Sequence, residues 1–353
     1  MDQDSIKHVR PRYDAVDIAK GIGIILVVLG HAFQGVVTQY NIGRHSSDSY
    51  LYFIKMLIYG FHMPLFVFIS GLFISGWVRR RPKVALLQKV QSLVLPYFVW
   101  TVILSTFMQI GSSMTNNGLG FTDALNSWIV PFSEYWYLYF LFIVSIIYYL
   151  YFNIIPHGQL AFLVSSIIAA GVSYWVPALW TFQSLASFAI FFSLGTFTYK
   201  FLPRFLTWIG SNQIAVTISV SFIFINAIYL IILSGNSQQL SHAYWFLTSF
   251  IGILFIFVCS VHTLKYEIGS MLKNIGKLSL EIYVAHLIPL AATRILLSKV
   301  LHLSSRPLIV LVSMIGALVG VWVMLWLVKL LHIDLILFGR RIPIFTRRRT
   351  GRG

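Results

Sequence analysis

The sequence predicts an all-α, polytopic integral membrane protein with about ten transmembrane helices and both termini in the cytoplasm. Of its 353 residues, 58% are hydrophobic and only 10% are charged, and the mean hydropathy is +0.81. Apolar runs of roughly 20 residues, the length that crosses a ~30 Å hydrocarbon core, recur along the whole chain. Lysine and arginine gather in alternate connections, as they do on the cytoplasmic side of membrane proteins.

Ten apolar segments account for most of the chain. We place the spans at 16–37, 51–76, 84–109, 133–155, 160–176, 183–202, 212–233, 242–264, 278–298 and 307–331. Residues 1–15 then form a cytoplasmic lead, residues 16–331 a ten-helix transmembrane domain, and residues 332–353 a basic cytoplasmic tail that contacts anionic lipids. We expect the first span to be retained rather than cleaved as a signal, because Lys20 and His31 interrupt it.

The net charge of +16 follows the predicted topology and does not indicate a nucleic-acid partner. With the N-terminus inside, the opposite connections at 110–132, 177–182 and 234–241 contain no lysine or arginine. Arg44, Lys299 and Arg306 are the exceptions. The single cysteine, Cys259, excludes a disulfide within the chain.

The first span carries three ionisable side chains, Asp17, Lys20 and His31. Lys20 and His31 are eleven residues apart, so a helix places them on one face, roughly 16 Å apart along its axis. Asp17 lies one turn before Lys20 and can pair with it. Because such groups are costly in hydrocarbon, the face they share should line a protein interior or a cavity. The alternative is that Lys20 reaches the cytoplasmic surface and His31 only packs.

The second span contains the segment FHMPLFVFISG at 61–71. It should place His62 at a depth similar to that of His31, so the two histidines could share one cavity. Pro64 removes a backbone donor, and Ser70 and Gly71 allow another backbone to approach closely. Equally open is that His62 caps carbonyls freed by the proline and takes no part in chemistry.

Five segments carry a resemblance to a known family. They are the first span, FHMPLFVFISGLF at 61–73, KVQSLVLPYFVW at 89–100, EYWYLYFLF at 134–142 and SLEIYVAHLIPL at 279–290. Together they resemble the membrane-bound acyltransferase-3 family, and within it the fucose 4-O-acetylase-like and xanthan-type exopolysaccharide O-acetyltransferases. That family has ten core helices and a basic residue eleven positions before a histidine in helix one, which Lys20 and His31 match.

The resemblance implies transfer of an acetyl group from cytoplasmic acetyl-CoA to a sugar hydroxyl of a surface polysaccharide or its lipid-linked repeat unit. Imidazole suits this chemistry as a base or as an acyl carrier, so His31 is the first catalytic candidate, and His286 matches the family's late histidine. Lys20, Arg79 and Arg80 are candidates for holding the coenzyme's phosphates. No metal is implied, since the histidines and acids lack ligand spacing on a common face.

Glu134 opens the fourth span beside Tyr135, Trp136 and Tyr137, and a carboxylate among aromatic rings can hold a sugar. Glu134, Trp136 and His62 are therefore candidates for binding the acceptor, although aromatic residues at this level also anchor spans at the interface. Asp17 and Glu281 are expected to form structural ion pairs, Glu281 with Lys20 or a basic residue of a loop.

Other functions remain open from the residues alone. A proton-coupled secondary transporter or exporter of a sugar-containing metabolite could use the buried acids and histidines as a relay. A scaffolding subunit of a polysaccharide export complex is a third possibility. In each case we expect a multi-pass protein of the bacterial cytoplasmic (inner) membrane.

Overall fold

The computed structural model describes residues 13–111, 120–173, 180–235, 238–340 and 342. Throughout these ranges the regular structure is helical, and it comprises α-helices with two short π-helical and two short 3-10 turns. The α-helices are α1 Asp14–Gln39, α2 Ser49–Tyr59, α3 His62–Leu72, α4 Pro82–Lys89, α5 Leu95–Ile110, α6 Phe121–Leu125, α7 Trp136–Ile154, α8 Gly158–Val172, α9 Trp180–Thr198, α10 Leu202–Ile209, α11 Asn212–Ser234, α12 Gln238–His262, α13 Glu267–Lys277, α14 Ser279–Ala285, α15 Leu287–Ile295, α16 Arg306–Leu330 and α17 Asp334–Phe338.

The helices confirm a polytopic membrane protein. Eight segments of the described chain are long and apolar enough to cross a membrane, and a bent pair, α14 with α15, brings the number to nine. At the predicted fifth span, 160–176, the structure has the shorter apolar helix α8. Many large apolar side chains on the outside of the bundle are exposed, including Val216, Ile223 and Trp322, as expected for surfaces that face lipid.

Helix α1 lies at the centre of the bundle and packs against α2, α3, α12, α13 and α16. Its contact with α13 depends on two glycines. A Cβ atom on Gly21 would lie 2.0 Å from the carbonyl oxygen of Leu272, and one on Gly276 would lie 1.8 Å from that of Asp17. The backbones can approach this closely only because neither position has a side chain.

Ion pairs mark the two ends of the bundle. At the end we call inner, Lys273 contacts Asp14 at 2.9 Å. At the other end, which we call outer, Arg306 pairs with Asp48 and lies over the ring of Tyr40. Helix α1 therefore runs from the inner to the outer end, and α16 runs back.

The second span is interrupted at Gly60–Phe61, between α2 and α3. Pro64 cannot donate to the carbonyl of Gly60, four residues earlier, and the Ser249 hydroxyl donates to that oxygen instead at 2.6 Å. His62 turns its Nδ1 to the carbonyl of Ile58 at 2.8 Å. Farther along, Gly71 meets the backbone of α9, since a Cβ there would lie 2.1 Å from the carbonyl oxygen of Phe192. The predicted close approach at Gly71 is present.

The ninth span is bent by 44° between α14 and α15, at His286. Pro289 lies three residues later and cannot donate a backbone hydrogen bond, which accounts for a kink at this point. The bend places His286 inside the bundle, fully buried.

The segment predicted as a basic tail contains a packed helix. Helix α17 lies against α5, where the Trp100 indole donates to the carbonyl of Leu337 at 2.8 Å. Arg340 then reaches the buried carboxylate of Glu281 with two nitrogens, at 2.8 and 2.6 Å. The basic partner of Glu281 is thus Arg340 rather than Lys20 or a loop residue. The arginines of the tail from Arg341 onward lie outside the described residues.

Candidate active site

His31 is held in the middle of α1 by groups from two other helices. Its Nδ1 atom lies 3.0 Å from the Tyr59 hydroxyl and 3.7 Å from Oε1 of Glu134. The side chain is only 7% exposed. Because Nδ1 has both partners, Nε2 is the nitrogen left to face a reacting group.

Glu134 sits in a tight helical turn, Ser133–Tyr135, that leads into α7. Two phenols tie this turn to α14: the Tyr283 hydroxyl donates to the carbonyl of Glu134, and the Tyr135 hydroxyl donates to the carbonyl of Val284 at 2.8 Å. The turn is therefore fixed against the helix that carries His286. The Glu134 carboxylate extends from this turn toward His31, a neighbour that its place in the sequence did not predict.

His286 lies next to His31, with their ring centres 5.2 Å apart. Its Nδ1 faces the carbonyls of Tyr283 and Ile282 at 2.8 and 3.1 Å. A carbonyl can only accept, so the neutral ring carries its proton on Nδ1 and presents Nε2 as a lone pair. That Nε2 atom is buried and has no hydrogen-bond partner within the described part of the chain. A buried unpaired acceptor next to a candidate base is consistent with a functional role.

Two other candidates for acceptor binding have different surroundings. His62 is buried, and its ring packs against that of Tyr59 at 4.9 Å while its Nδ1 bonds to Ile58. His62 thus bonds a carbonyl at the end of α2, whereas the Gly60 carbonyl that Pro64 leaves free is satisfied by Ser249. Trp136 packs against Phe188 and Phe140, with ring centres 5.1 and 6.3 Å away. Their roles in acceptor binding stay predictions.

An outer cavity of about 140 Å³ opens from His31 toward the outer end. Its polar lining comes from α1, the turn before α7, and α15. Those side chains are His31, Gln34, Thr38, Ser133, Glu134 and Arg294. Apolar residues such as Leu104, Phe107 and Leu290 form the rest of the wall. This combination of a few polar groups in an apolar wall is typical of a small-molecule site.

An inner cavity of about 170 Å³ lies on the other side of His31 and includes Lys20, Ser70, Tyr137, Ser279 and Tyr283 in its lining. The Lys20 ammonium lies 3.4 Å from the Asp17 carboxylate and 5.3 Å from the centre of the Phe73 ring. The ion pair that the sequence suggested is therefore formed. The lysine also faces a cavity, as its position on the His31 face predicts.

A third cavity, of about 440 Å³, shares Ser70 and Leu141 with the inner cavity and continues toward the inner end. Lys89 lines it and lies 4.8 Å from the centre of the Trp77 ring. Arg79 and Arg80 are exposed and are not among the described residues that line these three cavities. Lys89 is a cation at the cavity surface that sequence reasoning missed, although it opens one of the five resembling segments.

A layer of tyrosines separates the inner cavity from the outer one. Tyr283 lines the inner cavity and donates to the backbone of Glu134, whose side chain lines the outer cavity. Tyr137 packs on Tyr283 at 5.5 Å, and its hydroxyl lies 3.0 Å from that of Ser70. Lys20 and His31 thus face two different cavities from one side of α1, with the tyrosine layer between them.

Comparison with known proteins shows the family of this chain. A family model described as an acyltransferase domain, Acyl_transf_3, matches residues 13–326. The chain belongs to this acyltransferase family. Membership confirms the resemblance and the enzyme class that the sequence predicts, and it favours an enzyme over a transporter or a scaffold.

Two curated relatives of this Acyl_transf_3 member match part of it. The nodulation protein NolL of Sinorhizobium fredii is 38% identical over 91 residues, which are 26% of this chain and 24% of that protein. NolL of Mesorhizobium japonicum is 37% identical over 91 residues, 26% of this chain and 23% of that protein. The chain thus matches about a quarter of the length of each relative. No solved structure matches it.

Proposed function

We propose that this Acyl_transf_3 member is a membrane O-acetyltransferase that moves an acetyl group from cytoplasmic acetyl-CoA to a sugar hydroxyl of a surface polysaccharide or its lipid-linked repeat unit. The observation that carries the proposal is the position of His31. It lies beside Glu134 and Tyr59 in the wall of the outer cavity, while Lys20, on the same helix, lines the inner cavity.

His31 would act through Nε2 as the general base. It takes the proton of the sugar hydroxyl as the oxygen attacks the thioester carbonyl. The new C–O ester bond forms, the C–S bond breaks, and the departing thiolate receives the proton from His31. A variant of the same chemistry begins with attack by Nε2 itself, which breaks the C–S bond, releases the thiolate and leaves an acyl-imidazole. The sugar hydroxyl then attacks the acyl carbon, the C–N bond breaks, and the hydroxyl proton passes to the freed Nε2 and from there to the thiolate.

Glu134 and Tyr59 would orient the imidazole during this step. A group that holds Nδ1 fixes the ring's tautomer and direction, and a carboxylate nearby stabilises the imidazolium that forms. The contact between His31 and Glu134 is 3.7 Å, longer than a hydrogen bond, whereas the contact between His31 and Tyr59 is 3.0 Å. In this arrangement Tyr59 would position the ring and Glu134 would act mainly through its charge.

The donor would enter from the inner end. The cavity lined by Lys89 and the inner cavity lined by Lys20 share part of their lining, so cationic groups follow one another along this side of the bundle. Phosphate groups are bound well by lysine ammonium groups. Lys20 lies three helical turns, roughly 16 Å, from His31, which suits an extended pantetheine arm laid along α1. The arm would have to pass the tyrosine layer to bring the thioester to His31.

The distribution of cations indicates which end of the bundle faces the cytoplasm. Lys273, Lys329 and Arg340 belong to the inner end, where the positive-inside rule places the cytoplasm. The outer cavity then faces away from the cytoplasm, where a surface polysaccharide or its lipid-linked precursor is available. The similar proteins come from the bacteria Sinorhizobium and Mesorhizobium, which supports a bacterial membrane.

The direct test is transfer of labelled acetyl from acetyl-CoA into lipid-linked or surface glycan by membranes that contain the protein. We expect label with the wild type and a loss of at least about 100-fold in His31→Ala. His262→Ala is the control, because His262 is a half-buried histidine in another span that does not contact His31's partners and bonds the carbonyl of Val258 at 3.0 Å. Well-inserted wild type that labels none of several glycans would overturn the proposal, and transport assays would follow.

A further inference from the structure

Arg294 is a buried cation of the outer cavity that the proposed chemistry does not use. It lies on α15, in the bent ninth span, and its side chain is only 6% exposed. Its side chain lines the cavity together with His31 and Glu134. Ionisable groups inside a membrane protein are costly and are retained where they bind or move something.

The guanidinium lies against one face of α1. His31, Gly35 and Gln39 follow one another at four-residue intervals on that face, so each is about 6 Å farther out than the one before. A Cβ on Gly35 would lie 3.0 Å from Nε and 3.1 Å from Cδ of Arg294. A guanidinium nitrogen of Arg294 donates to the side-chain oxygen of Gln39. Gly35 thus leaves the room in which Arg294 lies, one turn outward from His31.

The remaining polar lining would be enough for a neutral sugar. Gln34, Thr38 and Ser133 supply amide and hydroxyl groups that can bond to sugar hydroxyls. A guanidinium adds something different: its planar fork matches the two oxygens of a carboxylate or a phosphate. Since Glu134 lies at the His31 end of the cavity and Arg294 one turn outward, an acceptor with one charged substituent would bind in one orientation.

We propose that Arg294 binds an anionic group of the acceptor, about one helical turn from the hydroxyl that His31 deprotonates. The acceptor is then an acidic glycan, and its anionic group is either the carboxylate of a uronic acid or the phosphate of a sugar phosphate. This inference rests on the proposed acetyl transfer to a sugar, and it names the chemical class of that sugar.

The kinetic test uses matched pairs of acceptors with labelled acetyl-CoA. One pair is an oligosaccharide that contains glucuronic acid and its carboxyl-reduced form. The other is a lipid-linked sugar phosphate and the same sugar on a neutral lipid. We expect the wild type to use the acidic member of one pair at least about 10-fold better in kcat/KM, the size of a charge-assisted hydrogen bond. A preference within the first pair would identify the anionic group as a carboxylate, and a preference within the second pair would identify it as a phosphate.

Arg294→Gln should lower kcat/KM for the acidic acceptor by about 10-fold, through KM, and leave the neutral acceptor unchanged. Arg294→Lys should keep part of the preference. Lys299→Gln is the control, since Lys299 lies on the next turns of the same chain segment and is exposed. Equal use of acidic and neutral acceptors by the wild type would overturn the inference. An equal loss for both acceptors in Arg294→Gln would do the same.

Binding decides the inference independently of turnover. The same unlabelled glycans are titrated onto purified protein in nanodiscs without acetyl-CoA. Anion-selective binding that Arg294→Gln abolishes sustains the inference even where no acetyl is transferred, an outcome that would overturn the proposed function alone. If Arg294→Gln is not recovered folded, Gly35→Ala crowds the guanidinium and keeps its charge. That variant should lose about 3-fold in selectivity, and unchanged selectivity would contradict the inference.

Discussion

Oε1 of Glu134 lies 3.7 Å from Nδ1 of His31, although the two residues come from different spans of the chain. The turn that carries Glu134 is tied to α14 through the carbonyls of Glu134 and Val284, so the backbone of Glu134 cannot move away from α14 without breaking those bonds. An acid held beside a histidine in a cavity wall is an arrangement suited to general base catalysis.

Glu134→Gln should therefore lower kcat for acetyl transfer and leave acetyl-CoA binding unchanged. We expect a loss of about 10- to 100-fold, less than the ~10⁴-fold of triads with a direct carboxylate–imidazole hydrogen bond, because this contact is longer. Single-turnover rates and donor binding would be measured on the same preparation. Glu267→Gln, at an exposed carboxylate of α13, is the control. Weakened donor binding in Glu134→Gln would show that the carboxylate acts elsewhere.

Tyr59→Phe should lower kcat by up to about 10-fold, since it removes one neutral hydrogen bond of about 1 kcal/mol to Nδ1 of His31. If Tyr59 and Glu134 hold the same ring, their effects are not additive. A double-mutant cycle with Glu134→Gln should then show a coupling of at least about 0.5 kcal/mol. Strictly additive effects would indicate that the two residues act on different steps.

Lys20→Gln and Lys89→Gln should each raise the KM for acetyl-CoA by about 3- to 10-fold, as expected for loss of one phosphate contact. The reason is that both lysines line the cavities on the inner side of the tyrosine layer. Arg79→Gln and Arg80→Gln provide the comparison, because those arginines are exposed. A larger rise in the KM for acetyl-CoA in the arginine variants would indicate that Arg79 and Arg80 bind the phosphates, as the sequence predicted. Dephospho-coenzyme A, which lacks the phosphate on the ribose, would show whether either cation contacts that phosphate.

Gly276→Ala should destabilise the protein, because the added Cβ would meet the carbonyl oxygen of Asp17 at 1.8 Å and push α13 away from α1. Overpacking of this kind costs about 1–3 kcal/mol. Thermal unfolding in detergent should show a lower midpoint than for the wild type. Gly171→Ala is the matched control, since a Cβ there meets nothing within 4 Å. Equal midpoints for both variants would mean that α13 can shift without loss.

Arg340→Gln should destabilise the inner end more than Glu281→Gln does. The Glu281 side chain is 0% exposed and that of Arg340 is 44% exposed, so removing the arginine leaves a carboxylate buried without its partner. Leaving a buried carboxylate without its partner is strongly destabilising, although the exposure of Arg340 makes the loss smaller than for a pair buried on both sides. Limited proteolysis near α17 and thermal unfolding would measure the difference. A milder effect of Arg340→Gln than of Glu281→Gln would indicate that other cations reach Glu281.

The sequence predicted the parts of the site that depend on helical geometry alone. Lys20, His31 and Asp17 lie on one helix, and the period of 3.6 residues places them on one face, as the structure shows. Pro64 predicted a disturbed second span for the same reason, since a missing backbone donor acts within one turn. The break lies at Gly60–Phe61, and a serine from α12 satisfies the free carbonyl.

Contacts between distant segments could not be predicted in this way. Nothing in the local sequence around Glu134 indicates that Tyr283 and Tyr135 fix its turn against α14 and hence beside His31. Likewise, Arg340 was expected in a tail and instead completes an ion pair with Glu281. The cavity beside Lys89 likewise depends on packing, since its wall includes residues as far apart in the chain as Ser70, Leu141 and Gly339.

The sequence by itself determined that this chain is an all-helical membrane protein, because hydrophobic run length, charge placement and helical period are local properties. Its resemblance to the acyltransferase-3 family rested on five short segments that can also be read locally. The tertiary structure alone decided which groups surround His31, which cavity each cation faces, and that Gly35 leaves room for Arg294 beside α1. Those relationships depend on how helices far apart in the chain pack together. Packing depends on the shapes of many side chains from several segments together, so no single segment determines it.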